Sequence, residues 1–168
     1  MLSPTEFAVA TLAGAPHMSF VIPHDERSGC FLPLRLKGRG TFAVFLAGED
    51  RFKFFHYESR DEEEDAYFLK GIVISQIAIQ LDETSTYDPD NGNRVLGSLI
   101  RTQDRLEIVA RGARERIGQP MCLAVMTELP LCETGARAGF TRWRIVLGEG
   151  PEKREILLVD CLQVQDGA

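Results

Sequence analysis

Residues 71–82 read GIVISQIAIQLD. In an extended chain Ile77, Ile79 and Leu81 fall on one side, and Gln76, Ala78, Gln80 and Asp82 on the other. Alternation of this kind in a β-branched run predicts a strand, and the spacing of a helix fits it poorly. At about 3.3 Å per residue the stretch would extend ~40 Å, long for one strand, so it needs partners along its whole length. The segments before and after it supply them. The expected fold is all-β or mostly β, with about ten antiparallel strands closed into a barrel or stacked as a two-sheet sandwich.

One short N-terminal helix is expected as well. Ser3 can cap it, Pro4 suits its first position, and Glu6 completes a capping box. It should continue to about Ala13, where Gly14 and Pro16 end it. Residues 18–22 and the alternating Cys30, Leu32, Leu34 and Leu36 predict two strands. Pro33 inside the second suggests a sheet edge or a bulge. Residues 41–47 and 51–57 form the clearest hairpin, turning at Gly48-Glu49-Asp50. Ser59 with Glu62 could cap a second short helix in the acidic run that follows. Residues 83–93 read as a loop, dense in turn formers. Residues 94–101 and 105–111 predict another hairpin, and 121–128, 140–147 and 155–164 three further strands.

The chain's 168 residues favour a single domain spanning 1–168. Hydrophobic residues at 44% and charged residues at 26% are ordinary for a globular protein. A net charge of −6 argues against a nucleic-acid partner. No run approaches the ~20 apolar residues of a membrane helix, so no membrane partner is expected. Cys30, Cys122, Cys132 and Cys161 form no CxxC pair. They read as reduced packing residues of a cytoplasmic protein. The apolar residues 7–13 lack the preceding Lys or Arg of a signal peptide.

The chemistry-bearing residues are scattered. Phe52, Phe54 and His56 alternate onto one face of the aromatic arm, where an imidazole among rings could contact a ligand. Trp143 alternates with Thr141, Ile145 and Leu147, a core pattern with a stacking role as its alternative. Ligand-binding residues are therefore expected at Phe52, Phe54, His56 and Trp143. Cys30 with His24 is the nearest Cys–His pair, but Asp25 and Glu26 between them disfavour a thiolate. Asp88, Asp90 and Asn93 do not keep the EF-hand spacing and read as a turn. Gly38-Arg39-Gly40 lacks the rest of a phosphate loop. Arg94, Arg101, Arg105, Arg111, Arg114 and Arg116 interleave with Asp104, Glu107 and Glu115, as surface ion pairs do.

No catalytic residue, metal or particular cofactor is predicted, and the chain resembles no catalytic motif set. Two functions compete. One is a binding domain for a partly apolar small molecule held inside a barrel or between sheets. The other is a non-enzymatic assembly protein whose strands are covered by a second copy or another chain. A hydrolase-type enzyme using His56 is a distant third.

Overall fold

The computed structural model describes residues 7–10, 15–24, 29–57, 71–90, 93–113, 119–127, 137–148 and 150–163. Fourteen strands lie among them: β1 Phe7–Ala10, β2 Phe20–Pro23, β3 Phe31–Leu36, β4 Gly40–Phe45, β5 Lys53–Tyr57, β6 Gly71–Ile74 and β7 Ile77–Leu81 come first. β8 Thr86–Tyr87, β9 Leu99–Arg101, β10 Arg105–Gly112, β11 Met121–Thr127, β12 Ala138–Phe140, β13 Arg142–Leu147 and β14 Arg154–Asp160 follow. The all-β expectation holds. The described backbone gathers into two compact units, one of residues up to Ile77 with Ala110–Gln119, the other of Ala78–Val109 with the residues from Pro120 onward.

The sequence reading is corrected at four places. First, residues 7–10 are a strand, not part of a helix: β1 pairs antiparallel with β6, Phe7 opposite Ile74 and Ala10 opposite Gly71. Phe-Ala-Val-Ala alternates apolar with small residues, and a ready β6 edge outweighs the local capping signal. The cap residues Ser3, Pro4 and Glu6, like the second cap at Ser59, lie outside the described residues. Second, no closed barrel forms among the described residues; the sheets have free ends at β1 and β8 and at β14 and β7. Third, pairing is not wholly antiparallel, because β10 runs parallel to β5, with Arg111 opposite Lys53. Fourth, residues 71–82 are extended but not one strand. Ser75 and Gln76 separate β6 from β7, and Gln76 has φ 61°.

That left-handed residue turns one long strand into two that join different sheets. β6 lies between β1 and β2, and β7 pairs with β13. A left-handed residue with a Cβ costs roughly 1–2 kcal/mol, a strain glycine escapes. Gln76→Gly should therefore raise stability by about 0.5–1 kcal/mol, and Gln76→Val should lower it by about 1–2 kcal/mol, in urea unfolding.

The first unit is a sheet in the order β1-β6-β2-β3-β4-β5, extended by the last residues of β10. Its pairing register sorts side chains onto two faces. Val21, Phe31, Ala43, Phe45 and Val73 pack with Ala15 and Phe55 on one. Phe31 and Phe45 rings lie 5.3 Å apart, Phe45 and Phe55 5.4 Å. Leu32, Leu34, Phe42, Val44 and Phe54 are buried on the other. Residues buried on both faces explain why β3 to β5 read as near-continuous apolar runs.

Pro33 does not sit at the edge. β3 lies between β2 and β4, yet β2 pairs with it only at Val21–Phe31. A proline has no N–H for the ladder, so the pairing stops there. Residues 15–18 complete it by other means. Met18 N–H donates to Pro33 O at 3.0 Å, Arg35 N–H donates to His17 Nδ1 at 2.9 Å, and the Arg35 guanidinium donates twice to Ala15 O.

In the second unit β10 pairs with β9, β9 with β12 and β12 with β8, and β11 pairs with β10. A separate three-stranded sheet has the order β14-β13-β7. The core is mainly aliphatic: Leu99, Ile100, Ile108, Leu123, Val125, Ile145 and Val159 are buried, as are Phe140 and Trp143. The predicted strand 140–147 is split, because Thr141 leaves the ladder to donate its N–H to Ser85 O.

Candidate functional site

Four residues were singled out by sequence, and they do not converge. Phe52 is outside β5, in the turn before it, with φ 62°. Its N–H donates to Phe45 O at 2.7 Å and its carbonyl accepts Arg111 N–H at 3.0 Å, which holds this uncommon conformation. Its ring is buried beneath the Arg51 guanidinium, 4.3 Å above the centroid. Phe54 is buried against Phe42, ring centroids 5.6 Å apart. Trp143 belongs to the second unit, has no exposed surface, and donates Nε1–H to Gly97 O at 2.9 Å.

His56 alone is exposed. It stands opposite Phe42 in the β4–β5 ladder and stacks on it, centroids 4.4 Å apart and planes 14° from parallel. Its Nε2–H donates to Arg39 O at 2.6 Å, which ties β5 to the β3–β4 turn. The turn is closed by Arg39 N–H donating to Leu36 O at 2.9 Å. The Arg39 guanidinium lies 5.8 Å from the Phe42 centroid, within cation–π range. Arg35, Lys37 and Arg39 are all exposed at this end of the hairpin.

The other distinctive surface of the first unit is its margin. Ile22 and Ile72 are opposite one another in β2 and β6, and are 42% and 36% exposed. β6 is next to β1, the last strand of the sheet. Large apolar side chains side by side in water are informative where a lone one is not.

Two of the described thiols, Cys30 and Cys122, are poor nucleophiles. Burial pushes the Cys30 thiol up to about 11, its own backbone hydrogen bond only partly offsetting that. Burial also raises Cys122. Among the described residues no group of three or more His, Cys, Asp and Glu could hold a metal ion. Asp88 Oδ1 accepts Asp90 N–H, and Asp90 takes Arg137 NH1 at 2.9 Å, so the acidic loop is organised by its own turn and an arginine. No described helix is long and apolar enough to cross a membrane.

Known proteins place the chain in a family. The family model described as uncharacterised protein y4lG matches residues 9–166. The chain belongs to the y4lG family. It is similar to the uncharacterized protein y4lG of Sinorhizobium fredii (strain NBRC 101917 / NGR234), 35% identical over 155 residues that cover 92% of this chain and 90% of that one. No solved structure matches it.

Sequence reasoning missed the charged clamp of this y4lG-family chain. Arg142, first residue of β13, lies between two carboxylates: Nε and NH2 reach Asp160 Oδ2 at 3.1 Å each, and NH1 reaches Asp82 Oδ2 at 3.5 Å. Asp82 Oδ1 accepts Thr84 Oγ1–H at 2.6 Å and Thr84 N–H at 3.0 Å, capping a 3-10 turn over Glu83–Ser85. Ser85 Oγ accepts Arg142 N–H at 3.0 Å. The signal was present as Asp82-x-Thr84, the pattern of a carboxylate bonding backbone two residues on. Such a clamp joins the end of β7 to β13 and β14; it is a fastening and offers no reacting group.

The Thr84 hydrogen bonds, with Arg142 behind them, hold the Asp82 carboxyl below its ordinary value. A depressed carboxyl stabilises the fold above its unfolded value, and that stabilisation is lost as pH falls through the folded value. Asp82→Asn should therefore lower the unfolding midpoint at neutral pH. The gap to the unsubstituted chain should close on acidification below the usual carboxylate range, in urea titrations across pH.

Proposed function

We propose that this chain is a non-enzymatic, cytoplasmic assembly module, in which a second copy adds its β1 to the β1 edge of the first unit. The observation that carries this is the exposed Ile22–Ile72 pair beside the terminal strand. A sheet edge presents a row of backbone donors and acceptors, and proteins that stay monomeric blunt such edges with Lys, Pro or bulges. Residues 7–10, FAVA, contain no charge and no proline. Antiparallel addition of β1 to its own copy is isologous, so each side needs only to suit itself, and an uncharged apolar strand does so. Residues of the second copy outside the added strand would cover Ile72 and Ile22, one and two strands in from the edge, and supply the apolar part of the interface.

Sedimentation over a range of concentrations tests the reading. The chain should run as a dimer that dissociates on dilution, and Ile22→Lys with Ile72→Lys should run as a monomer with an unchanged circular dichroism spectrum. Both positions are exposed, so lysine is tolerated there without loss of core. A monomer at every concentration would sink the proposal.

A second reading is favoured by the exposed stack of His56 on buried Phe42. In it, a small molecule rests on the outer face of the imidazole, with Phe54 backing Phe42 from the side. Of the ligand-binding residues expected from sequence, His56 would touch the ligand and Phe54 would position the shelf. The ligand lies on an open surface in this reading, not inside a barrel.

A further inference from the structure

We infer that the β3–β4 turn with His56 binds a small planar molecule that carries an oxyanion, a nucleoside monophosphate being the simplest chemical type. The inference rests on the small-molecule reading of the His56 shelf and adds to it the charge of the ligand. Phe42, 4% exposed, fixes the inner face of the imidazole, and the exposed His56 leaves its outer face to water. A flat ring stacks on such a face whatever its edge groups.

Two cations belong to the same turn. Arg39 and His56 are both within 6 Å of the one Phe42 ring, at 5.8 and 4.4 Å. Lys37 is exposed two residues earlier in the same turn. Among the described residues neither Lys37 nor Arg39 has an ion-pair partner, in contrast to Lys53, Arg105, Arg137, Arg142 and Arg144, each of which has a carboxylate partner.

The turn is also rigid before any ligand arrives. Arg39 donates its N–H to Leu36 O and accepts His56 Nε2–H, and Gly38 supplies φ 73°. A Cβ built on Gly38 would meet nothing within 4 Å, so the approach to the turn is open. Preorganised cations lose little freedom on taking an oxyanion, and Arg with Lys is a usual pair for phosphate oxygens. The chain's net charge of −6 repels a polyanion, which confines the ligand to a small molecule.

The test is a calorimetric and NMR titration of the full chain with AMP, adenosine and inorganic phosphate, repeated on Lys37→Gln with Arg39→Gln. AMP should bind with shifts at the His56 ring, and adenosine and phosphate should each bind at least ~10-fold more weakly. The double variant should lose AMP by at least ~10-fold while its thermal midpoint falls by no more than a few degrees, because the replaced groups are exposed and only the Arg39 contact with Phe42 is lost. Equal binding of AMP and adenosine would overturn the inference and leave the shelf reading standing. Equal binding of AMP and phosphate would remove the planar part. An unchanged AMP affinity in the double variant would likewise overturn the inference alone, and no binding of any of the three would overturn both.

Discussion

Trp143→Ala should lower the stability of the chain by about 4 kcal/mol, measured by urea unfolding, the largest single effect expected. The indole has no exposed surface and is the largest side chain in the core. Ile145 and Leu147 share its face of β13, and Val159 lies directly opposite it in β14. Neighbours held on paired strands cannot collapse into the space that alanine would leave, so the cavity cost adds to the lost burial. The indole also donates to Gly97 O, whose residue has φ 82° in the turn that enters β9. Trp143→Phe keeps most of the volume and leaves that buried carbonyl without its donor, so it should cost a smaller ~1–3 kcal/mol. Equal losses for the two would mean that the hydrogen bond, and not the packing, carries the residue.

Gly71→Ala should be nearly as damaging, at about 3 kcal/mol, for a steric reason. A Cβ at Gly71 would overlap Ile22 O and stand 2.9 Å from Pro23 Cα, both backbone atoms of β2. Backbone in a ladder cannot rotate away as a side chain can, so β2 and β6 must part where Pro23 meets Gly71. Because β6 also carries β1, the loss reaches the edge strand. Gly38→Ala is the control: its φ is positive but its surroundings are open, so it should cost only about 1 kcal/mol. A Gly71 variant no worse than the Gly38 variant would show that β2 and β6 are not packed this closely.

The sequence carried the strand content and the local hairpins, because both are written in short-range signals. The β4–β5 arm alternates in pairs that became Phe42–His56 and Val44–Phe54. The β9–β10 hairpin likewise pairs Arg101 with Leu106. What was illegible depends on distant partners. Gln76 is an ordinary strand residue by propensity, and nothing local signals its left-handed conformation between β6 and β7, which pair with different strands. The capping residues before Phe7 argue for a helix, and only the β6 edge makes residues 7–10 a strand. Pro33 predicted an edge or a bulge, whereas only its ladder to β2 stops there, and nothing local could say that His17 and Ala15 would fill the gap.

For the sites, the alternation placed Phe52, Phe54 and His56 in one register. One residue of positive φ removes Phe52 from the strand, and alternation cannot foresee it. Trp143 was legible as core from its period-two neighbours. The exposed Ile22–Ile72 pair was not legible, since apolar residues in a strand pattern look alike whether covered or bare.

Hydrogen exchange tests the assembly proposal most directly. The amides of residues 7–10 should exchange more slowly in concentrated than in dilute protein, while those of β3 and β4 are unchanged, because only an edge strand gains backbone partners on association. Exchange at residues 7–10 that is the same at both concentrations would contradict it.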